Sequence, residues 1–395
     1  FQSNKFGDAL ICKTNRVLEI DDISPQFYTD PNLQRATELD TWSAASFTAV
    51  KYYAQVVLDS TAGVLVNETQ YSEFLVSHNG AVSMINQYSD LSDSFDLGDF
   101  TADMASGQVT VSFVPYNSTF VYDVTVYREI LNQGVGVGTT SYGGIKKVGV
   151  SSYVAASGSP SAQIIQSIDA NAFKSGTVLV AVSGNPLEKE IVEASFVGIG
   201  STVQYVEFGK MKEDMDLGTF DIGMTGTNDI QLKFTPTAGI GVTIATLATL
   251  VGVGTTVSDG IPSGSYEVGD AYLQSNRTEI SASGTPAATN VSSLSYNNYT
   301  SVKYYVEVEN VTNNEYSAFH VAANAYGGDS NYVKYGNVST GLTAKRDLQN
   351  TDITVSATNV LLQFTPMENR TYIVRVSEIR IDKPDDVSND TTIAY

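Results

Sequence analysis

Few residues in this chain of 395 could do chemistry. It carries two histidines, His78 and His320, and a single cysteine, Cys12. Zinc centres draw on clusters of imidazole and thiolate, so none is expected, and Cys12 cannot close a disulfide within the chain. His78 lies in a turn beside Asn79 and Gly80. His320 falls between Phe319 and Val321 in a strand, where alternation points it away from both. Both read as polar groups of a surface or an interface, without partners for general acid–base work. Ser157, Gly158 and Ser159 belong to connector sequence and not to a nucleophile elbow. The glycine-rich run 134–138 lacks the lysine and the following helix of a phosphate-binding loop.

Carboxylates are the more arguable groups. Asp90, Asp93, Asp96, Asp99 and Asp103 crowd one segment, Glu213, Asp214 and Asp216 a second, and Asp382, Asp385, Asp386 and Asp390 the C-terminal tail. Hard cations take loop carboxylates as ligands. Asp90, Asp93, Asp96 and Asp99 are therefore candidate calcium ligands, with solvated acidic loops as the competing reading, since the spacing of a calcium-binding helix–loop–helix is absent. No two carboxylates are marked as the acid and base of a glycosidase. No catalytic residue and no other cofactor is expected. Nine Asn-x-Ser/Thr sequons follow from a composition rich in Asn, Ser and Thr.

Tyrosine is abundant, with 23 copies against one tryptophan. Tyr52 and Tyr304 fall on the apolar faces of their strands; Tyr53 and Tyr305 point the opposite way. Tyrosine combines a large contact area with a polar tip. Tyr53 and Tyr305 are thus interface candidates, for subunit packing or for stacking on a glycan, with ordinary sheet-surface tyrosine or burial against a connector as the alternatives.

The elements that position these residues repeat. The strand Val50-Lys51-Tyr52-Tyr53 returns as Val302-Lys303-Tyr304-Tyr305. Phe173 stands 126 positions after Phe47, half of the 252 that separate Tyr52 from Tyr304. Val109, Val111 and Phe113 alternate before Pro115; Ile230, Leu232 and Phe234 before Pro236; Val360, Leu362 and Phe364 before Pro366. Period-two alternation marks a strand with one buried face, and proline follows where the ladder ends. A bend, Asp96-Leu97-Gly98-Asp99-Phe100, recurs as Asp216-Leu217-Gly218-Thr219-Phe220; its glycine is expected to supply a backbone conformation closed to other residues.

The fold expected is all-β: three tandem antiparallel β-sandwich modules, jelly-roll or immunoglobulin-like, joined by Gly/Ser/Thr-rich connectors. The repeats span 46–133, 172–252 and 298–382. The connectors are 1–45, 134–171 and 253–297, and 383–395 is an acidic tail. Connectors this long are expected to add strands, form a small subdomain or pair with a neighbouring subunit. The only short helix is expected at 161–170. Tandem sandwiches imply an extended rod whose edge strands need cover.

Composition narrows the partners. Against 22 basic residues stand 43 acidic ones, a net charge of −21. Such a polyanion repels phosphate backbones and anionic bilayers, so neither nucleic acid nor membrane insertion is expected. The uncharged stretch 234–257 is too rich in Gly, Thr and Ala for a span and falls on a repeat strand and its connector. Charged residues are only 16% of the chain, which suits a polar but weakly charged extracellular surface. The chain opens at Phe1 without a signal peptide, as a piece of a longer protein would.

The ordered set of a Lys-Tyr-Tyr strand, a Gln-Tyr or Glu-Tyr strand, the turn His78-Asn79-Gly80, Asp-Leu-Gly-x-Phe and Phe-x-Pro resembles modules of virion structural and tail-fibre proteins of marine tailed phages, especially contractile-tailed cyanobacterial phages. The His-x-Gly turn is confined to the first repeat. The resemblance implies a non-catalytic virion component in a tail fibre, baseplate appendage or surface decoration. It also implies a homo-oligomer, trimeric in fibres, that meets other virion proteins or a host surface glycan. A carbohydrate-binding extracellular adhesin is the alternative.

Overall fold

The computed structural model describes residues 12–18, 36–45, 47–58, 68–92, 95–117, 122–132, 137–142, 145–154, 160–184, 188–212, 215–226, 228–252, 265–268, 271–282, 287–297, 299–326, 329–340, 348 and 350–382. Every regular element among them is a strand. The first third holds β1 (Cys12–Leu18), β2 (Thr37–Ser43), β3 (Phe47–Leu58), β4 (Thr69–His78), β5 (Ser83–Ser92), β6 (Gly98–Ala105), β7 (Gln108–Pro115) and β8 (Tyr122–Asn132). The second holds β9 (Val137–Tyr142), β10 (Ile145–Val154), β11 (Gln163–Asp169), β12 (Phe173–Ser183), β13 (Lys189–Ile199), β14 (Thr202–Lys212), β15 (Gly218–Thr225), β16 (Asp229–Pro236) and β17 (Val242–Gly252). The last holds β18 (Ser265–Val268), β19 (Ala271–Ser281), β20 (Thr289–Ser295), β21 (Tyr299–Asn310), β22 (Glu315–Tyr326), β23 (Asp329–Ser339), β24 (Thr351–Ser356), β25 (Asn359–Phe364) and β26 (Thr371–Asp382).

These strands form six antiparallel sheets that pair into two-layered units. The larger sheets have the orders β1-β8-β3-β4-β5, β14-β13-β12-β17-β10-β9 and β18-β19-β26-β21-β22-β23. The smaller ones are β2-β7-β6, β11-β16-β15 and β20-β25-β24. The alternating runs seen in the sequence are the middle strands of the small sheets. Their apolar face meets the large sheet: Val109, Val111 and Phe113 pack with Tyr52 and Phe74. Ile230, Leu232 and Phe234 pack with Val178 and Phe196, and Val360, Leu362 and Phe364 with Tyr304 and Phe319. Fully burying such side chains stabilises each sandwich by roughly 1.5–3 kcal/mol apiece.

The segments read as connectors contribute strands. β2, β11 and β20 complete the small sheets, while β10 and β19 pair with the last strands of their units. The helix expected at 161–170 is instead strand β11, because its residues ladder with β16 from Gln163↔Phe234 to Asp169↔Asp229. The tail 383–395 lies outside the described residues.

The repeated glycine has a different cause from the one expected. Neither Gly98 nor Gly218 has a positive φ. A Cβ at Gly98 would collide with the Val114 carbonyl and the Phe113 ring, and one at Gly218 with the Thr235 carbonyl and the Phe234 ring. The bend thus lays its backbone directly on the aromatic of the neighbouring strand. Gln70 secures it: its Oε1 accepts from the amides of Leu97 (2.7 Å) and Gly98 (3.1 Å), and its Nε2 donates to the Gly98 carbonyl (3.0 Å).

The tandem units are not strung out as a rod. Each packs on both others. Ala49 and Leu75 of the first meet Leu179, Ala181 and Leu247 of the second. Val197 of the second meets Tyr316, Ala318 and Val338 of the third. Tyr53 and Tyr71 of the first meet Tyr305, Ala322 and Ile379 of the third. The large sheets are therefore covered on both faces, and β4 is buried along all ten of its residues. A rod would leave these second faces in water.

Candidate functional site

The three second faces converge on a buried polar centre. Its geometry follows from strand register. Tyr53 pairs with Glu73, Leu179 with Glu193 and Tyr305 with His320. Glu73, Glu193 and His320 are thus one position in three units. Two residues before Tyr53, Leu179 and Tyr305 come Lys51, Thr177 and Lys303, a second shared position that alternation places on the same face.

Each unit reaches the next through these two positions. The Lys51 ammonium donates to both Glu193 oxygens, at 2.6 and 2.8 Å. The Lys303 ammonium donates to both Glu73 oxygens, at 2.9 and 3.1 Å. In the third link, Thr177 Oγ1 lies 2.7 Å from His320 Nε2. The links run first to second, second to third and third to first, so the contacts follow an approximate threefold axis within one chain. Three rings, Tyr88, Phe208 and Tyr335, stand on it with centroids 5.7–6.2 Å apart.

The carboxylates are further satisfied by tyrosine. Tyr88 donates to Glu193 at 2.7 Å, Tyr71 to Glu73 at 3.0 Å, and Tyr335 also donates to Glu73. Lys303 lies 3.9 Å above the Tyr335 ring, a cation–π contact that gains strength out of water. Around this centre, Ser175 of the second unit donates to Glu307 of the third, which Arg375 also holds at 2.6 Å. Asn324 of the third donates to Thr69 of the first.

Burial dominates the titration of these groups. It lowers the Lys303 pKa to about 8, with Lys51 adding repulsion and Glu73 only partly offsetting both. Burial also works against the charge on Lys51, but Glu193, Glu73 and Glu129 together outweigh it and hold its pKa up. Burial, then Lys303 and Lys51, push the His320 imidazole well below its ordinary range.

The expected site residues fare differently. Tyr53 and Tyr305, offered for a subunit or glycan surface, lie inside the molecule at 1% and 5% exposure. Their hydroxyls meet at 3.1 Å between the first and third units, so neither can stack on a sugar. Of the calcium candidates, Asp93 lies outside the described residues. Asp90 accepts from Ser72 and Gln70, and Asp96 from Ser92. Among the described residues no cluster of metal-ligating side chains forms. His78 is buried, not exposed in a turn: its Nδ1 accepts from the Gly80 amide and its ring meets Trp42 edge-on. His320 is an interface group, as expected, but between units of one chain.

Sequence reasoning passed over Lys51, Glu73, Thr177, Glu193, Ser195 and Lys303. Lys51, Glu73, Glu193 and Lys303 gave one signal, charge inside strands that also carry apolar residues, and Thr177 and Ser195 gave none.

Ser195 Oγ is also 3.0 Å from His320 Nε2, which has the spacing of a nucleophile and its base. Among the described residues no carboxylate orients the ring, since Nδ1 has no partner there, and the imidazole is only 3% exposed. What the geometry of the centre provides is mutual recognition of the units. Closed in the opposite sense, the ring would set Lys51 against His320 and Glu73 against Thr177, leaving buried charges unpaired. Such an error costs about 3–5 kcal/mol, so the centre selects one order of units. In comparison with known proteins, the chain matches no family model and no curated protein.

Proposed function

We propose that the chain is a non-catalytic structural block of an extracellular assembly, a component of a tailed-phage virion. The observation that carries this reading is the closed centre: the ionisable side chains gathered there serve to hold three sandwiches together in one order. The acidic, weakly charged surface supports it, because it favours solubility over nucleic-acid or membrane contact. The phage assignment rests on the resemblance of the repeated motifs. A closed block suits a baseplate appendage or a surface decoration better than a spacer along a fibre. Its partners are other virion proteins and further copies of the chain.

The test is cryo-electron microscopy of the particle whose peptides include this chain by mass spectrometry. The reading expects density for the three-unit block at a regular position on capsid or tail. A chain missing from particles, isolated instead as a protein that binds or cleaves a polysaccharide, overturns it in favour of an adhesin or an enzyme.

A further inference from the structure

The three links around the axis are chemically unequal. Two are Lys–Glu pairs, and the third is the neutral contact of His320 with Thr177 and Ser195. With Nδ1 buried and without a partner among the described residues, the neutral imidazole carries its proton on Nε2 for these hydroxyls, and a second proton would sit on Nδ1 with no acceptor. Its neighbours are the rings of Tyr305, Tyr335 and Phe208, at centroid distances of 5.0, 5.1 and 5.6 Å.

Eleven charged or titratable groups on neighbouring strands surround the centre, Lys303 and Lys51 acting on His320 most directly. β3 brings Lys51 and Tyr53, β4 brings Tyr71 and Glu73, and β5 brings Tyr88. β8 brings Glu129, β13 brings Glu193, and β23 brings Tyr335. β21 brings Lys303, Tyr305 and Glu307. Glu73 and Glu193 accept from lysines and tyrosines, and Glu307 from Arg375 and Ser175. A proton on His320 would add a third cation beside Lys51 and Lys303, and its new N–H would have no acceptor. Burying an unpaired charge is among the costliest changes a core can undergo.

We propose that the seam between the second and third units is an acid-sensitive latch, closed by neutral His320 and released when His320 takes up a proton, while the two Lys–Glu seams stay shut. The apolar cluster at this seam, Val197, Val206, Tyr316, Ala318 and Val338, is smaller than those at the other two seams, and the Ser175–Glu307 bond and the Phe208–Tyr335 ring contact close it beside the His320 link.

The experiment is hydrogen–deuterium exchange of the full chain, corrected for intrinsic rates, between pH 7.5 and 5.0. An open seam holds an ordinary histidine with a pKa of about 6.5. Opening is then favoured tenfold per pH unit below that value. Exchange in peptides covering 194–206 and 315–339 should rise up to about thirtyfold by pH 5, while peptides over 47–58 stay protected. His320→Gln keeps partners for both hydroxyls but cannot take a proton, and should abolish the rise. An independent reading follows the His320 ring by NMR in His78→Gln, where its titration should coincide with the opening. Three results overturn the proposal: no rise in the parent chain, an equal rise in His320→Gln, or opening at a pH where the ring does not titrate.

Discussion

Lys51→Met is the most informative single change. It deletes the ammonium that Glu193 holds with two bonds of 2.6 and 2.8 Å at about 2% side-chain exposure on both sides. Glu193 keeps the Tyr88 hydroxyl at 2.7 Å but loses its counter-charge. Breaking a buried pair from one side costs about 3–5 kcal/mol, chiefly through the charge left behind. Lys51 also stands 3.5 Å from Glu73, which places the expected loss toward the upper end. Glu193→Gln alone leaves Lys51 short of one acceptor charge and should cost about 2–4 kcal/mol. The double variant removes both charges while the Gln carbonyl still accepts from Tyr88. It should be less destabilised than the sum of the two, with a coupling of at least about 2 kcal/mol. Urea unfolding followed by Tyr and Trp fluorescence gives all four stabilities. Additive losses, or a Lys51→Met cost below about 1 kcal/mol, would refute the view that these charges meet in a dry interior.

Further outcomes follow from the same geometry. Lys303 has a folded pKa of about 8 against an ordinary 10.5, so between those values the unfolded chain binds more protons. Stability should therefore rise from pH 8 toward pH 10, and Lys303→Met should flatten that rise in thermal unfolding. Above pH 10 the trend reverses, because burial holds the phenols of Tyr53, Tyr304 and Tyr305 well above their ordinary pKa while unfolded tyrosine ionises freely. Gly98→Ala and Gly218→Ala force a methyl against a carbonyl and an aromatic ring, and should each cost about 1–3 kcal/mol. Gly107→Ala meets open space but keeps a positive φ, so it should cost only about 1–2 kcal/mol by strain. Gln70→Ala strips the Leu97 and Gly98 amides of their acceptor and should lower stability by about 2–3 kcal/mol, read by the same denaturant titration.

The sandwiches were legible because their signal is local. Val109, Val111 and Phe113 alternate with residues that face away from the core, and a two-residue period needs no distant information. The same alternation placed Tyr52 and Tyr53 on opposite faces, which is how they lie, Tyr52 in the sandwich core and Tyr53 between units. What alternation does not encode is whether the second face meets water or another sheet. Lys51 and Glu73 look like solvent-facing residues, yet they are 1% and 0% exposed. The partner of Lys51 lies 142 residues away and that of Lys303 lies 230 away, so no local pattern joins them. The Asp-Leu-Gly bend shows a subtler limit. The glycine was visible, but its reason, an aromatic ring against the backbone, depends on register with the next strand. The helix expected at 161–170 failed for a related cause: ten residues of mixed polarity carry too little periodic information to outweigh a ladder with β16.

Closure of three tandem sandwiches about one axis is the claim on which the rest depends, and small-angle X-ray scattering of the purified chain tests it most directly. A compact chain of this length has a radius of gyration of about 21 Å. Three sandwiches in a row would give about 30 Å or more. A value of about 21–25 Å with a single-peaked distance distribution is the expected result; a value near 30 Å with an elongated distribution would contradict the closed arrangement and the buried centre with it.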